Sequence, residues 1–93
     1  MKFIVNNKIY DTENAEKLCT FSKQWESKTI VGTLYPYRDT TLYKTAKGAY
    51  FLTCCMDYGR HYIEVINENT AKKYLMHNDY SKYVELFGEL EEA

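Results

Sequence analysis

The chain has 93 residues, 45% hydrophobic and 27% charged, with a formal net charge of −1. That length makes one domain, 1–93, with a modest core and no room for a large cofactor cavity, and the composition excludes global disorder. The near-neutral charge excludes a whole-molecule attraction to nucleic acid and also the strongly acidic surface of a DNA mimic.

Phe3-Ile4-Val5 reads as a short strand, and Asn6-Asn7 ends it. Asparagine tolerates positive φ, so this pair suits a two-residue turn into a returning strand, Lys8-Ile9-Tyr10. The resulting hairpin spans about residues 2–10. Asp11 to Ala15 is rich in capping residues and predicts one short helical turn. Residues 16–22 fit a helical extension or a third strand, and weak alternation of Leu18 and Thr20 with Cys19 and Phe21 favours the strand. Residues 23–38 show no clear period and predict a long irregular loop, of the kind that often carries function.

The clearest signal follows. Thr41 to Thr53 predicts two strands folded on Ala46-Lys47-Gly48, within a hairpin near residues 40–56. Glycine meets no steric penalty at the positive φ of such a turn. Asp57 to Arg60 makes a second turn into the strand His61–Ile66. Asn67 predicts a helix N-cap with Glu68 in the favourable first turn, and Ala71, Tyr74 and Leu75 share one face of a helix over 68–77. Asp79 caps a second helix, in which Tyr80, Tyr83, Val84, Phe87 and Leu90 recur at helical spacing and Gly88 marks an end or a bend. The expected fold is α+β: an antiparallel sheet of five or six strands, covered by one or two C-terminal helices.

Ten tyrosines are too many for so small a core to hide, because a buried phenol oxygen without a partner costs about 1–3 kcal/mol. Many must lie ring-down with the hydroxyl in water, which is also how tyrosine serves at interfaces. Charge is uneven. Residues 1–66 carry nine basic and seven acidic groups, and residues 67–93 carry three and six. Glu85, Glu89, Glu91 and Glu92 form an acidic end.

Three candidate chemistries can be weighed. Cys19, Cys54, Cys55, His61 and His77 lack C-x-x-C or H-x-x-x-H spacing, so no metal is expected and the cysteines read as small core residues. Adjacent Cys54 and Cys55 point to opposite faces of a strand and make a poor disulfide, which leaves free thiols and a reducing cytoplasm as the expectation. Cys54 or Cys55 could approach His61 on the next strand, but no orienting third residue is identifiable and no enzyme is expected. Lys23, Lys28, Arg38, Lys44, Lys47 and Arg60 interleave with Trp25, Tyr35, Tyr37, Tyr43 and Tyr58, and Glu26, Asp39 and Asp57 dilute that patch to +3. Such a surface suits nucleic acid or, more readily, a protein partner, since Trp, Tyr and Arg dominate binding hot spots. No phosphate-binding glycine loop, signal peptide or membrane span is expected.

Three segments resemble a known family: the opening Met1-Lys-Phe-Ile-Val-Asn-Asn-Lys-Ile-Tyr-Asp-Thr-Glu-Asn-Ala15, the hairpin Thr41-Leu-Tyr-Lys-Thr-Ala-Lys-Gly-Ala-Tyr-Phe-Leu52, and the helix opening Val65-Ile-Asn-Glu-Asn-Thr-Ala71. They look like a small domain carried by phages, plasmids and other mobile elements of Gram-positive bacteria. A similar segment forms the N-terminal region of several type II anti-CRISPR proteins. Asn14 departs from the family's threonine, Ala46 and Ala49 replace bulkier residues, and Thr53 to Gly59 replaces a glycine-rich stretch. The resemblance implies a cytoplasmic inhibitor in a bacterial host cell, without cofactor. It would bind a CRISPR effector or its guide complex stoichiometrically, with possible nucleic-acid contact. The contact residues expected are Trp25, Tyr35, Tyr37, Arg38, Lys47, Tyr58 and Arg60. The alternative is a phage-encoded nucleic-acid-binding or regulatory accessory protein.

Overall fold

The hairpin turning on Gly48 lies at the centre of the molecule. In a computed structural model describing residues 1–93, the strands are β1 (Lys2–Val5), β2 (Lys8–Asp11), β3 (Glu16–Gln24), β4 (Ser27–Thr29), β5 (Gly32–Leu34), β6 (Tyr37–Lys44), β7 (Tyr50–Cys55) and β8 (His61–Ile66). Two helices close the chain, α1 (Glu68–Asn78) and α2 (Tyr80–Phe87). The class is α+β, but the strands do not form the expected single sheet of five or six. Four antiparallel strands in the order β3-β6-β7-β8 make the main sheet, and β1–β2 and β4–β5 are separate two-stranded hairpins.

Local chemistry sets the turns. Asn6 and Asn7 take positive φ (51° and 62°), and Gly48 takes 87°. Asn67 Oδ1 accepts from Thr70 N at 2.8 Å, and Asp79 Oδ1 accepts from Lys82 N at 3.1 Å, capping the two helices. Gly88 (φ 87°) ends α2. One expected helical turn does not form: Asp11 Oδ1 accepts from Glu13 N at 3.0 Å and its Oδ2 from the Asn14 side chain at 2.9 Å. These side-chain bonds satisfy the backbone of a tight turn without a helix.

Register decides which residues share a face. Phe21, Thr40, Cys54 and Tyr62 lie in one row across the sheet, as do Cys19, Leu42, Leu52 and Glu64. This face packs under the helices, whose Ala71 and Leu75 are fully buried, and Tyr74 stacks on Phe21 at 4.8 Å. A register shift between Lys17 and Cys19 explains why the consecutive Leu18 and Cys19 are both buried, which strict alternation forbids. On the opposite face Phe51 is fully buried beneath Tyr10 of β2 at 5.5 Å and beside Tyr43 at 5.1 Å. The N-terminal hairpin therefore acts as a lid on that face. Fully burying each of Leu42, Leu52, Phe51 and Leu75 contributes about 1.5–3 kcal/mol.

Residues 23–38, expected to be irregular, are mostly paired. One register runs from Cys19↔Leu42 through Gln24↔Tyr37 to Ser27↔Leu34 and Thr29↔Gly32. Trp25 N donates to Pro36 O at 2.9 Å between the two assigned ladders. The hairpin β3–β6 thus continues beyond the sheet as a two-stranded arm. Pro36 has no N–H to return that bond, which interrupts the ladder there. The arm accounts for the extended shape: 48 × 30 × 19 Å overall, with a radius of gyration of 14.5 Å. A compact chain of this length would give about 12 Å.

Candidate interaction surface

The antiparallel order brings two distant segments to one end of the sheet. Tyr37 and Arg38 open β6, and Tyr58 and Arg60 lie in the turn between β7 and β8. Arg38 bridges the two, donating to Asp57 Oδ1 at 3.2 Å. Tyr35 stands beside them at the base of the arm. A hollow of about 170 Å³ separates the arm from the turn, lined by Leu34, Pro36, Arg38, Met56, Tyr58 and Arg60 among others.

Tyr58 is the unusual member. It is 99% exposed and holds φ at 62°, a conformation that costs an aromatic residue about 1–3 kcal/mol. Its ring makes no burial to offset that. Tyr35 and Tyr37 are also exposed, at 57% and 66%. So five of the seven expected contact residues, Tyr35, Tyr37, Arg38, Tyr58 and Arg60, lie at one end, where alternation turns Tyr35 and Tyr37 to the face opposite Arg38.

The remaining two do not belong there. Lys47 is exposed at the tip of the β6–β7 hairpin. It lies beyond the far end of the eight-residue strand β6, more than 20 Å from Tyr37 at about 3.4 Å per residue. Trp25 is only 6% exposed and is part of the core. Its indole N–H donates to Thr40 Oγ1 at 2.8 Å, its ring meets Tyr62 edge-on at 6.5 Å, and the Lys23 ammonium lies 4.4 Å from its ring centre. The strand continues through Trp25 into the arm and lays the indole on the sheet, so its ring is buried there rather than displayed on the surface.

The basic patch also breaks up. Lys23 pairs with Glu64 at 3.5 Å and Arg38 with Asp57, while Lys44 and Lys47 belong to the far end. At the near end Lys28 and Arg60 alone lack an acidic partner.

Sequence reasoning missed the arm. Ile30 and Val31 at its tip are 105% and 85% exposed, and Leu34 is 53% exposed. Tight turns ordinarily carry Asn, Asp, Gly or Ser. Here the positive φ falls on Gly32 (124°), which lets two β-branched aliphatics occupy the tip. Thr29 holds the turn, with its hydroxyl donating to Gly32 O at 2.7 Å and accepting from Val31 N at 3.3 Å. The signal in the sequence was Thr29-Ile-Val-Gly32 itself, a turn with a threonine before it and a glycine after it.

The cysteines separate as alternation requires. Cys54 lies opposite Tyr62 and is buried, and Cys55 lies opposite His61 and is exposed. Cys54 and His61 are therefore on opposite faces of the sheet. Burial pushes the Cys54 thiol up despite Lys23 and Arg38 nearby. Burial, with Asp79, pushes Cys19 up to about 11. Cys55 and His61 share a shallow hollow of about 300 Å³ with Asp39, Thr41 and Thr53. The Cys55 thiol points at the Met56 carbonyl at 3.5 Å rather than at the imidazole. No three His, Cys, Asp or Glu side chains converge. No helix is long and apolar enough to cross a membrane. No family model matches the chain, and no curated protein or solved structure matches it either.

Proposed function

We propose that this chain is a stoichiometric binding protein that inhibits a CRISPR effector, or its guide complex, inside a bacterial host. Its contact surface is the end of the sheet carrying Tyr35, Tyr37, Arg38, Tyr58 and Arg60. The observation that carries the binding reading is Tyr58: a strained backbone that displays a fully exposed aromatic ring, beside two arginines. Strain that stabilises nothing inside the molecule is a mark of function. Tyrosine and arginine are the residue types that concentrate binding energy. The effector as target rests on the resemblance of the N-terminal segment, the central hairpin and the opening of α1 to the mobile-element domain. A protein face of that effector fits better than bare nucleic acid, because the basic groups are paired or scattered.

Titration against a type II CRISPR nuclease reaction tests the proposal. Inhibition should saturate near one equivalent. Complete inhibition at trace amounts would replace binding with catalysis. Absence of inhibition, together with tight salt-sensitive binding to bare DNA or RNA, would favour the nucleic-acid accessory protein.

A further inference from the structure

We infer that the arm is a self-association element: the free edge of β5 pairs antiparallel with the same edge of a second copy, about a two-fold axis through Thr33. Tyr35 belongs both to the base of the arm and to the proposed contact surface, so self-association and effector binding compete for it; sedimentation of the chain alone tests the first without the second.

A free strand edge invites another strand, and proteins guard such edges with charge or proline. Here β1, β2, β3 and β8 all carry charged residues, as does β4 with Lys28, and β7 is interior to the sheet. β5, Gly32-Thr33-Leu34, is the one strand with a free edge and no charge. The register set by Trp25 N–H donating to Pro36 O turns the groups of Leu34 and Gly32 inward, towards β4. Alternation then turns the N–H and C=O of Thr33 outward, where two copies can exchange a pair of hydrogen bonds.

Side chains match in that register. Pairing Thr33 with its twin sets Leu34 over the partner's Gly32 and brings Tyr35 and Pro36, at the base of one arm, alongside the turn residues Val31 and Ile30 at the tip of the other. Each contact occurs twice by symmetry. A large side chain shields an exposed glycine backbone, and an aromatic ring laid beside an exposed aliphatic tip removes apolar surface of both from water. Val31, Tyr35, Ile30 and Leu34 are all more than half exposed in the single chain, and this pairing covers them together. A slip of one residue turns the pairing groups of Thr33 away and sets Gly32 against Thr33, which matches nothing. Charge does not oppose the approach, because residues 25–36 carry one acid, Glu26, and one base, Lys28. A strand of this length buries less than the roughly 800 Å² per partner of a standard interface. The association is accordingly weak, with a dissociation constant on the order of 10–100 µM.

Sedimentation velocity on the intact chain, from about 1 µM to several hundred µM, tests this over the range where such an affinity shows. The expected result is a mass that rises from one chain towards two. Thr33→Lys places two like charges face to face at the axis and should raise the dissociation constant at least tenfold. Val31→Glu should do the same by placing a charge at the apolar tip beside the partner's Tyr35. Lys47→Ala, at the far end, should dimerise as the unaltered chain does. Circular dichroism and thermal melting establish that each variant is folded. A single chain at every concentration overturns the proposal. So does a folded Thr33→Lys chain, or a folded Val31→Glu chain, that dimerises as the unaltered protein does.

Discussion

The indole N–H of Trp25 donates a 2.8 Å hydrogen bond to the hydroxyl of Thr40, which in turn donates to the carbonyl of Arg38 at 3.0 Å. Both side chains are buried, and together they tie the base of the arm to the first residues of β6. No buried side-chain nitrogen or oxygen lacks a partner, so this chain of bonds is complete. Thr40→Val keeps the shape and removes the acceptor, leaving the indole N–H buried and unpaired. The expected cost is about 1–3 kcal/mol in urea denaturation. Trp25→Phe in the Thr40→Val background should cost less than it does alone, because the N–H is then already orphaned. Trp25 is the only tryptophan, so acrylamide should quench the folded protein's fluorescence weakly. Strong quenching would show the indole at the surface.

Gly48 sits at φ 87° with open space where a Cβ would project. A side chain there meets no neighbour, and the penalty comes from the backbone alone. Gly48→Val should destabilise by at least ~1 kcal/mol. Gly48→Asn should cost less, because asparagine accepts the left-handed region. Equal midpoints for the glycine, asparagine and valine forms would remove the backbone explanation.

Where one residue's own chemistry dictates its conformation, the sequence was legible. Asn6-Asn7, Gly48, the caps Asn67 and Asp79, and the stop at Gly88 each act within a few residues, and each was read correctly. The arm was not legible, because its two strands are three residues long and Pro36 interrupts the ladder that joins them to the sheet. No window of that size shows a period. Trp25 was misread for a related reason. Whether an indole faces solvent or sheet depends on Thr40, fifteen residues away, and composition favours interfaces for any tryptophan. The convergence of Tyr37 and Arg38 with Tyr58 and Arg60 follows from pairing of neighbouring strands. The separation of Lys47 follows from the length of β6, which sets the two ends of the hairpin apart.

The three thiols should differ in reactivity. Cys55 is exposed and Cys19 and Cys54 are buried, so a thiol reagent at pH 8 should modify one cysteine quickly in the folded protein and all three in urea. Cys19 also links stability to pH. Its folded value is pushed from 9.0 up to about 11, chiefly by burial. Between those limits the unfolded chain loses this proton and the folded chain retains it, so the contribution is complete below pH 9 and is lost as pH rises towards 11. Cys19→Ala should flatten the fall in melting temperature over that window relative to the unaltered chain. An unchanged slope would mean the thiol titrates alike in both states.

Tyr58 should show stability and binding moving in opposite directions. Its side chain touches nothing that would be lost on truncation, and its φ of 62° suits asparagine or glycine better than tyrosine. Tyr58→Asn should therefore leave the fold as stable or more stable, by up to ~1 kcal/mol. The same change removes an exposed ring from the proposed contact surface. Inhibition or effector binding should weaken by at least ~2 kcal/mol, the threshold of a hot spot. Replacing Tyr35, Tyr37 and Arg38 together by alanine should weaken binding by a similar amount, since they share that end with Tyr58. Lys47→Ala is the control: it lies at the other end of the hairpin and should leave binding unchanged. Isothermal titration with a purified effector and thermal melting of each variant give both quantities on the same samples. Loss of binding in Lys47→Ala with none in Tyr58→Asn would move the contact surface to the opposite end of the sheet. Loss of stability in Tyr58→Asn would show that the ring has a structural role within the turn.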